Sequence, residues 1–310
     1  MISQIKVIPG HIPALTWVSI LLQKLLQTNC MRKLLVNKTR QTDYLFNSAY
    51  LELLGERKSL VIFLFHVIFR DENEARANIV QPPQGITLEH FSQFIEYYQS
   101  HNYVFVSPDD ILDGLDSSRN YALITFDDGY AGVYEHGLRI LMEYEYPSTI
   151  YLTTDAIGGS SARNSSEFPG LYPGERMLTW PQVRELSRNG FTPGGHMKQH
   201  LDITTCNPDA ATEQLVGSKA EIEQRIGVPC ASFAYPWGRY DTRSKKLVAG
   251  AGYRNAVTAI HGPVRPHEDL FAIPRIDIRR DYSRSDFEAS LRGDWDFLGW
   301  YQQLRRKVYG

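Results

Sequence analysis

Residues 121–129 read Tyr-Ala-Leu-Ile-Thr-Phe-Asp-Asp-Gly, an apolar run that ends in two adjacent carboxylates and a glycine. A run of this length and composition predicts a buried β-strand, which would deliver the aspartates to the rim of a sheet. Adjacent carboxylates repel each other, so one of them can bind a divalent metal while the other stays anionic and accepts a proton from water. The alternative is a strand-to-helix turn in which an aspartate caps the helix.

Strand and helix patterns alternate on both sides of this stretch. Residues 60–65 form an apolar run of strand length that ends at His66. Downstream, the apolar spacing predicts helices over 131–146 and 208–226, with a strand over 148–153 between them. Such alternation is typical of a parallel sheet with crossover helices, in which side chains at the carboxyl ends of the strands build the site.

A pair of histidines, His196 and His200, stands four residues apart after the sequence Thr-Pro-Gly-Gly. In a helical turn, this spacing places both imidazoles on one face. Alone, such a pair is more often structural or exposed. Together with an aspartate at a strand end it supplies a His, His, Asp set that leaves coordination positions open, which is typical of a catalytic metal site.

Three motifs in this order resemble those of a known family. They are Thr-Phe-Asp-Asp-Gly at 125–129, His-x-x-x-His at 196–200 and Phe-Ala-Tyr-Pro-Trp-Gly at 233–238. The chain is similar to the polysaccharide deacetylases, the family-four carbohydrate esterases that share a domain with chitooligosaccharide deacetylases, and the likeness covers residues 58–291. The resemblance implies an α/β fold, a distorted (β/α)7 barrel, and metal-dependent hydrolysis of an N-acetyl group, usually on N-acetylglucosamine.

The resemblance also implies roles for individual residues. Asp128, His196 and His200 would hold the metal, and Asp127 would be the general base that deprotonates the attacking water. The backbone N–H of Trp237 would help to stabilise the tetrahedral oxyanion, while its indole would stack on a sugar ring. Zinc is the expected metal, with cobalt, nickel or manganese as alternatives in the same geometry.

A general acid must protonate the leaving amine, and two histidines are candidates for that role. His261 follows an apolar strand late in the chain, as in many family members. His66 ends the first strand, as in a permuted subgroup associated with exopolysaccharides. The form of the third motif favours His66. The alternative for either residue is an ordinary loop or core histidine.

One departure from the family pattern concerns the arginine that orients the catalytic aspartate. The third motif commonly begins with that arginine, but Ala234 occupies its position here. Arg275, on a late strand, could supply the guanidinium to Asp127, and a surface ion pair is the alternative for it. Tyr235 and Trp180 are further candidates for sugar contact, unless they are core residues.

Composition sets looser limits. A chain of 310 residues suits one barrel-sized domain, predicted at 56–310, with a basic and mainly helical extension at 1–55. The formal charge of −2 argues against nucleic acid as the main partner, and carbohydrate is the expected one. Three cysteines are too few for a disulfide framework and favour a reducing compartment. The oligomeric state is left open.

Residues 1–42 contain no Asp or Glu, six of them are Lys or Arg, and residues 12–26 are largely apolar. This segment could lie on an anionic membrane surface. It is too short and too interrupted for a transmembrane helix, and no clear signal-peptide cleavage site follows it. A helix packed on the barrel and a cleaved targeting peptide are the alternatives. The sequence therefore favours a cytoplasmic location, with membrane association as the second choice.

The expected activity is metal-dependent removal of N-acetyl groups from a polysaccharide, an oligosaccharide or a lipid-linked glycan. Removal of O-acetyl or formyl groups, or cleavage of another amide, is an alternative because the metal chemistry does not specify the acyl donor. An inactive carbohydrate-binding module is a second alternative. The complete set of Asp127, Asp128, His196 and His200 argues against it.

Overall fold

The computed structural model describes residues 60–77, 84–113, 115–116, 118–159, 168–264 and 268–291, together with residues 293, 295, 298, 299 and 302. They belong to a compact unit that spans residues 56–310. The predicted basic extension over residues 1–55, with its membrane contact, lies outside the described residues. In the part of the chain that is described, no helix has the length and apolar character needed to span a membrane.

The described residues contain one large sheet, whose strands are all parallel. Its hydrogen-bonded order is β10-β1-β5-β6-β7-β8-β9, with β4 paired to β5, while β2 and β3 form a separate pair. The strands are β1 Leu60–Phe65, β2 Ile68–Phe69, β3 Ile86–Thr87, β4 Val104–Phe105, β5 Tyr121–Phe126, β6 Ser148–Leu152, β7 Phe191–Gly195, β8 Ser232–Ala234, β9 Asn255–Val257 and β10 Ile276–Asp277.

Helices connect these strands, as the alternating sequence pattern predicts. They are α1 Glu72–Ala77, α2 Leu88–Ser100, α3 Pro108–Asp113, α4 Leu138–Glu143, α5 Trp180–Arg188, α6 Pro208–Ile226, α7 Thr242–Gly250 and α8 Arg284–Leu291. The longest, α6, begins where the Asn207 side chain accepts the N–H of Asp209 and ends at Gly227, whose φ of 83° suits glycine. The helix predicted over 131–146 begins instead with a π-helical turn, Val133–Gly137, and continues as α4.

The sheet closes into a barrel through the segment that precedes β10. Thr258, after β9, donates its N–H to the carbonyl of Ile273 at 2.8 Å, and Arg275 donates its N–H to the carbonyl of Ile260 at 2.8 Å. β10 then pairs with β1, with Phe63 opposite Ile276. Seven strands therefore follow one another around the barrel, and the predicted distorted (β/α)7 fold is confirmed.

Apolar side chains fill both faces of the sheet. On β1, Phe63 and Phe65 point outward and pack against Phe94 of α2. Ile62 belongs to a second cluster in the barrel interior, together with Tyr151 and other residues. Because both faces are covered, all six residues of β1 are buried. This explains the continuous apolar run in the sequence.

The register of the strands determines which side chains meet at the carboxyl edge. Phe65 of β1 lies opposite Phe126 of β5, so His66 and Asp127, the residues that follow, emerge side by side. The N–H of Asp127 continues the ladder with a 2.9 Å bond to the Phe65 carbonyl. β7 ends at the same edge, and His196 follows it directly. One edge of the barrel thus collects the residues that the motifs single out.

Candidate active site

The two aspartates after β5 face different surroundings because the chain turns sharply between them. Asp128 has a φ of 75° and Gly129 a φ of 91°, both in the left-handed region. This region is uncommon for residues with a side chain, and here it separates the two neighbouring carboxylates. Asp127 faces an arginine, and Asp128 faces two histidines.

Asp127 forms a two-pronged ion pair with Arg275. The two guanidinium–carboxylate distances are both 2.7 Å, and Arg275 is 1% exposed. Its remaining donors bond to the carbonyl of Thr258 at 2.7 Å and the hydroxyl of Thr125 at 3.0 Å. Burial raises the pKa of Asp127, but the charge and hydrogen bonds of Arg275 outweigh this effect and hold the pKa below its usual value. The structure thus brings Arg275 to the carboxylate that the sequence analysis assigned to it.

Asp128, His196 and His200 converge on one point. Oδ1 of Asp128 lies 3.3 Å from Nε2 of His196 and 3.4 Å from Nε2 of His200. One ligand atom from each of the three buried residues lies within 4.8 Å of the others. Oδ1 of Asp128 is buried, and no described residue is placed to hydrogen-bond to it. A buried carboxylate oxygen of this kind between two imidazole nitrogens fits a divalent metal ion.

The outer nitrogen of each histidine is already occupied. Nδ1 of His196 donates to the carbonyl of Ala234 at 2.8 Å, and Nδ1 of His200 donates to the carbonyl of Pro169. A carbonyl can only accept, so the proton is assigned to Nδ1 and the Nε2 lone pair of each ring faces Asp128. This is the tautomer that a metal requires.

The pKa values of the three residues are shifted in different directions, because their surroundings differ. Burial lowers the pKa of His200 to about 4, so this imidazole is neutral near pH 7. Burial also lowers the pKa of His196, but the neighbouring Asp128 and Asp127 outweigh it and raise the pKa above its usual value. Burial raises the pKa of Asp128, whereas the histidines around it lower the pKa by more. Asp128 is therefore anionic at any physiological pH.

The two histidines are not on a helix, and the prediction of a helical turn is wrong. Residues 196–200 form an irregular turn in which Met197 and His200 have φ values of 63° and 54°. The N–H groups of Lys198 and Gln199 donate to Oε1 of Gln214, at 3.1 and 2.9 Å. This acceptor, which α6 supplies, holds the turn in the shape that brings the imidazoles of His196 and His200 together. Nothing in the sequence pattern marked Gln214, which looks like an ordinary helix residue.

The structure separates the two candidate general acids. His66 lies close enough to Asp127, Asp128 and Asp277 for its charge to lower the pKa of each, against the opposing effect of their burial. His261 is buried elsewhere, with its ring 6.2 Å from that of Trp295. Burial lowers the pKa of His261 to about 4, and no charged group among the described residues contributes. His66 is therefore in the site, and His261 is not.

The three candidate sugar-contact residues have different surroundings. Trp237 is 41% exposed, and its ring lies 4.5 Å from that of His200. Tyr235 is fully buried, and its hydroxyl donates to the carbonyl of Phe271 at 3.0 Å. Trp180 packs partly buried on the core beneath the guanidinium of Arg225. Only Trp237 combines an exposed ring with contact to the site, and the positions of Tyr235 and Trp180 indicate packing.

Two further residues belong to the site and were missed in the sequence. Asp277 lies two positions after Arg275, on the same side of the strand, and burial raises its pKa. Tyr130 directly follows the Asp-Asp-Gly motif, and its buried hydroxyl accepts the N–H of Tyr172 at 2.8 Å. Burial and then the nearby Asp128 carboxylate raise the pKa of Tyr130 well above its usual value. In the sequence, only their closeness to Arg275 and to the Asp-Asp-Gly motif could have indicated that they belong to the site.

Known proteins resemble this chain in sequence. The family model for polysaccharide deacetylases matches residues 114–256. A protein of Bacillus subtilis (strain 168), whose name places it among the polysaccharide deacetylases, is 25% identical over 174 residues. That match covers 56% of this chain and 57% of the relative. A poly-beta-1,6-N-acetyl-D-glucosamine N-deacetylase of Staphylococcus epidermidis is 21% identical over 227 residues, covering 68% of this chain and 72% of the relative.

Solved structures share the fold. The deacetylase PplD of Streptococcus pyogenes, solved with acetate, superposes with a TM-score of 0.63 at 22% identity, over 76% of this chain and 99% of that one. IcaB from Ammonifex degensii gives a TM-score of 0.63 at 18% identity, over 76% and 97% of the two chains. At these identities, the likeness supports the barrel architecture.

Proposed function

We propose, from the premise that this chain belongs to the polysaccharide deacetylase family, that it is a metal-dependent hydrolase that removes N-acetyl groups from the N-acetylglucosamine residues of a polysaccharide. The observation that carries the proposal is the convergence of Asp128, His196 and His200 beside a second carboxylate, Asp127, which is held anionic by Arg275. This arrangement provides separate residues for metal binding and for proton transfer.

Asp128, His196 and His200 would hold the metal. The donor set of two imidazole nitrogens and one carboxylate suits zinc, and the orphaned Oδ1 of Asp128 fits a cation at this point. When bound, the metal would act as a Lewis acid that polarises the acetyl carbonyl and lowers the pKa of water. We propose zinc, and cobalt, nickel or manganese could occupy the same geometry.

Asp127 would act as the general base. Its lowered pKa keeps it ionised across the neutral range, and a carboxylate that accepts two bonds from Arg275 still has lone pairs for a proton from the attacking water. Arg275 fixes the orientation of this carboxylate, and it takes the place of the arginine that is missing at Ala234.

The attack of water on the acetyl carbon forms a tetrahedral oxyanion. The N–H of Trp237 is a candidate donor to it, because the left-handed backbone at this residue, with φ of 52°, lies beside His200. The half-exposed indole offers a face for a sugar ring. Since the donor is a backbone group, a change of side chain at this position would affect sugar binding more than oxyanion stabilisation.

His66 would be the general acid. Breakage of the carbon–nitrogen bond leaves an amine that needs a proton, and His66 is an imidazole within electrostatic reach of Asp127, Asp128 and Asp277. Proton transfer from His66 to the nitrogen would give the free amine and acetate. This step separates an amide substrate from an ester, whose alcohol leaves with less assistance.

The experiment that tests the proposal measures acetate release from β-1,6-linked N-acetylglucosamine oligomers. The zinc-loaded protein should release acetate, lose this activity on chelation and regain it with added zinc. The variant Asp127→Asn should bind zinc but release less than about a thousandth as much acetate. Release of acetate only from O-acetylated sugars would favour an esterase. Sugar binding without any turnover would favour a binding module and would refute the proposal.

A further inference from the structure

Residues 168–172, called the strap below, contact three members of the site at once. This segment lies within a stretch, residues 158–174, that is rich in Gly, Ser and Pro. Its residues lie after β6 and before α5, so it belongs to neither of the strands that carry the metal ligands. Its hydrogen bonds to the site are made by backbone groups and one close approach by a glycine, which explains why no motif marks them.

The first contact is with His200. The carbonyl of Pro169 accepts the Nδ1–H of the His200 ring. His200 is 4% exposed, and this bond fixes both the tautomer and the direction of the ring. A shift of the strap would therefore rotate or release one of the three ligands.

The second contact reaches Asp128 through Tyr130. The N–H of Tyr172 donates to the Tyr130 hydroxyl at 2.8 Å, and the rings of the two tyrosines are stacked, 5.5 Å apart. The hydroxyl accepts the bond from the strap and keeps its own proton, and the side chain of Asp128 is its other hydrogen-bond partner. The strap is thus connected to a second ligand, Asp128, through Tyr130.

The third contact is made at Gly170. Its φ of 87° suits glycine, and a Cβ at this position would lie 2.6 Å from two atoms of the Trp237 indole. The same indole lies against the His200 ring, with 4.5 Å between the ring centres. The strap therefore contacts both the His200 ring, through Pro169, and the Trp237 indole, through Gly170, and these two rings also contact each other. A side chain at residue 170 must displace the indole and, through it, His200.

We infer that the strap is a positioning element that sets the metal affinity of the site, with Gly170, Pro169 and Tyr130 as its positioning residues. The inference rests on the proposed function for the presence of a metal at Asp128, His196 and His200. Groups behind metal ligands typically change metal affinity by about 10- to 100-fold when they are altered.

The test compares zinc affinities of full-length variants, measured by competition with a chromogenic chelator. Gly170→Ala is matched by Gly158→Ala, because Gly158 has a similar φ of 93° but no atom of the described residues lies within 4 Å of the added Cβ. Both variants carry the same backbone strain. We expect Gly158→Ala to stay within about twofold of wild type, and Gly170→Ala to bind zinc about 10- to 100-fold more weakly.

A second substitution distinguishes positioning from general damage. If the added Cβ acts through the indole, Gly170→Ala combined with Trp237→Ala should bind zinc as tightly as Trp237→Ala alone. Equal affinities for Gly170→Ala and Gly158→Ala, or no recovery in the double variant, would overturn the inference.

A conservative pair covers the case in which Gly170→Ala does not fold. Tyr130→Phe removes the hydroxyl between the strap and Asp128, and we expect about three- to tenfold weaker zinc binding. Tyr134→Phe is its control, since that hydroxyl bonds only to Glu185 on α5, away from the ligands. Equal zinc affinity in the two variants would contradict the inference. Zinc binding is measured without substrate. A wild type that binds zinc but releases no acetate would refute the proposed reaction, and the zinc affinities of the variants would still test the inference about the strap.

Discussion

The carboxylate side and the histidine side of the site are built in different ways. Asp127 and Asp128 follow β5, which pairs along its whole length with β1, and the buried Arg275 holds Asp127 from behind. His196 and His200 lie in an irregular turn that depends on the carbonyl of Ala234 at the end of β8, a carbonyl of the strap and the side-chain amide of Gln214. The sheet thus fixes the base, whereas separate outlying groups fix the ligands. Substitutions should therefore cause large losses of function on the carboxylate side and smaller, stepwise losses on the histidine side.

Among substitutions that leave the base and the metal ligands in place, the largest effect is expected from Arg275→Met. Removing the guanidinium leaves a buried carboxylate without compensation, which costs about 3–5 kcal/mol of stability, and it frees the orientation of the base. We expect acetate release to fall by about 10²–10³-fold while zinc affinity changes only a few-fold. The acetate release of Arg275→Lys should lie between that of the wild type and that of Arg275→Met, because an ammonium cannot reproduce the two-pronged contact. Acetate assays, chelator competition and urea unfolding give the three quantities.

A loss of zinc affinity in Arg275→Met as large as its loss of activity would contradict this difference between the two sides. It would mean that the ion pair supports both sides of the site. Asp127→Asn is the control, since it leaves Arg275 in place and changes only the charge of its partner.

His66→Gln should give the next largest effect. Loss of the proton donor is expected to reduce amide hydrolysis by about 10²-fold or more, with zinc affinity within a few-fold of wild type. Hydrolysis of 4-nitrophenyl acetate should be much less affected, because its leaving group departs as an anion and needs no proton. Equal losses on the amide and the ester would show that His66 positions other groups and does not serve as the acid.

On the histidine side, Gln214→Leu should have a smaller effect. It removes the acceptor for the N–H groups of Lys198 and Gln199 without altering a ligand, and we expect about tenfold weaker zinc binding. Gln214→Glu keeps the accepting oxygen and should bind zinc within about threefold of wild type. If both variants behaved alike, the turn would be held by its other contacts, and the histidine side would be as rigid as the carboxylate side.

The same difference explains how much the sequence could predict. Asp127, Asp128 and His66 follow apolar runs whose strand character is local, and the parallel pattern implies that strand ends share one edge. Arg275 was a candidate because the resemblance implies an orienting arginine that Ala234 does not provide, and a surface ion pair was the alternative. The strand ends rest on a period visible in a single sequence, whereas the roles of the residues rest on the resemblance.

The rest depends on contacts between distant segments. Gln214 bonds to Gln199, which lies 15 residues away in the sequence, and Pro169 bonds through its backbone carbonyl. The residue type therefore indicates the role of neither. The His196–His200 spacing matched a helix, but the left-handed conformations of Met197 and His200 give the same convergence through a turn. Tyr235 was predicted to contact substrate because it lies in a motif, although its ring packs in the core. A motif identifies residues that matter without showing which way they point.

His261 belongs to neither side and should give the smallest effect on activity. We expect His261→Leu to retain acetate release within about twofold, because the ring is buried away from the carboxylates. Its influence should appear in stability instead. Burial lowers its pKa to about 4, whereas the unfolded chain would bind a proton near the usual value of about 6.5.

Between these two values the unfolded state holds more protons than the folded state, so the contribution of His261 to stability falls as the pH falls from about 6.5 to about 4. Urea unfolding of metal-free protein at pH 7 and pH 5 measures this change. Relative to His261→Leu, the wild type should lose about 2 kcal/mol over that interval. Parallel pH dependences would mean that His261 is protonated in the folded protein. It would then have an anionic neighbour, and the contrast with His66, which among the described residues has carboxylates nearby where His261 has none, would fail.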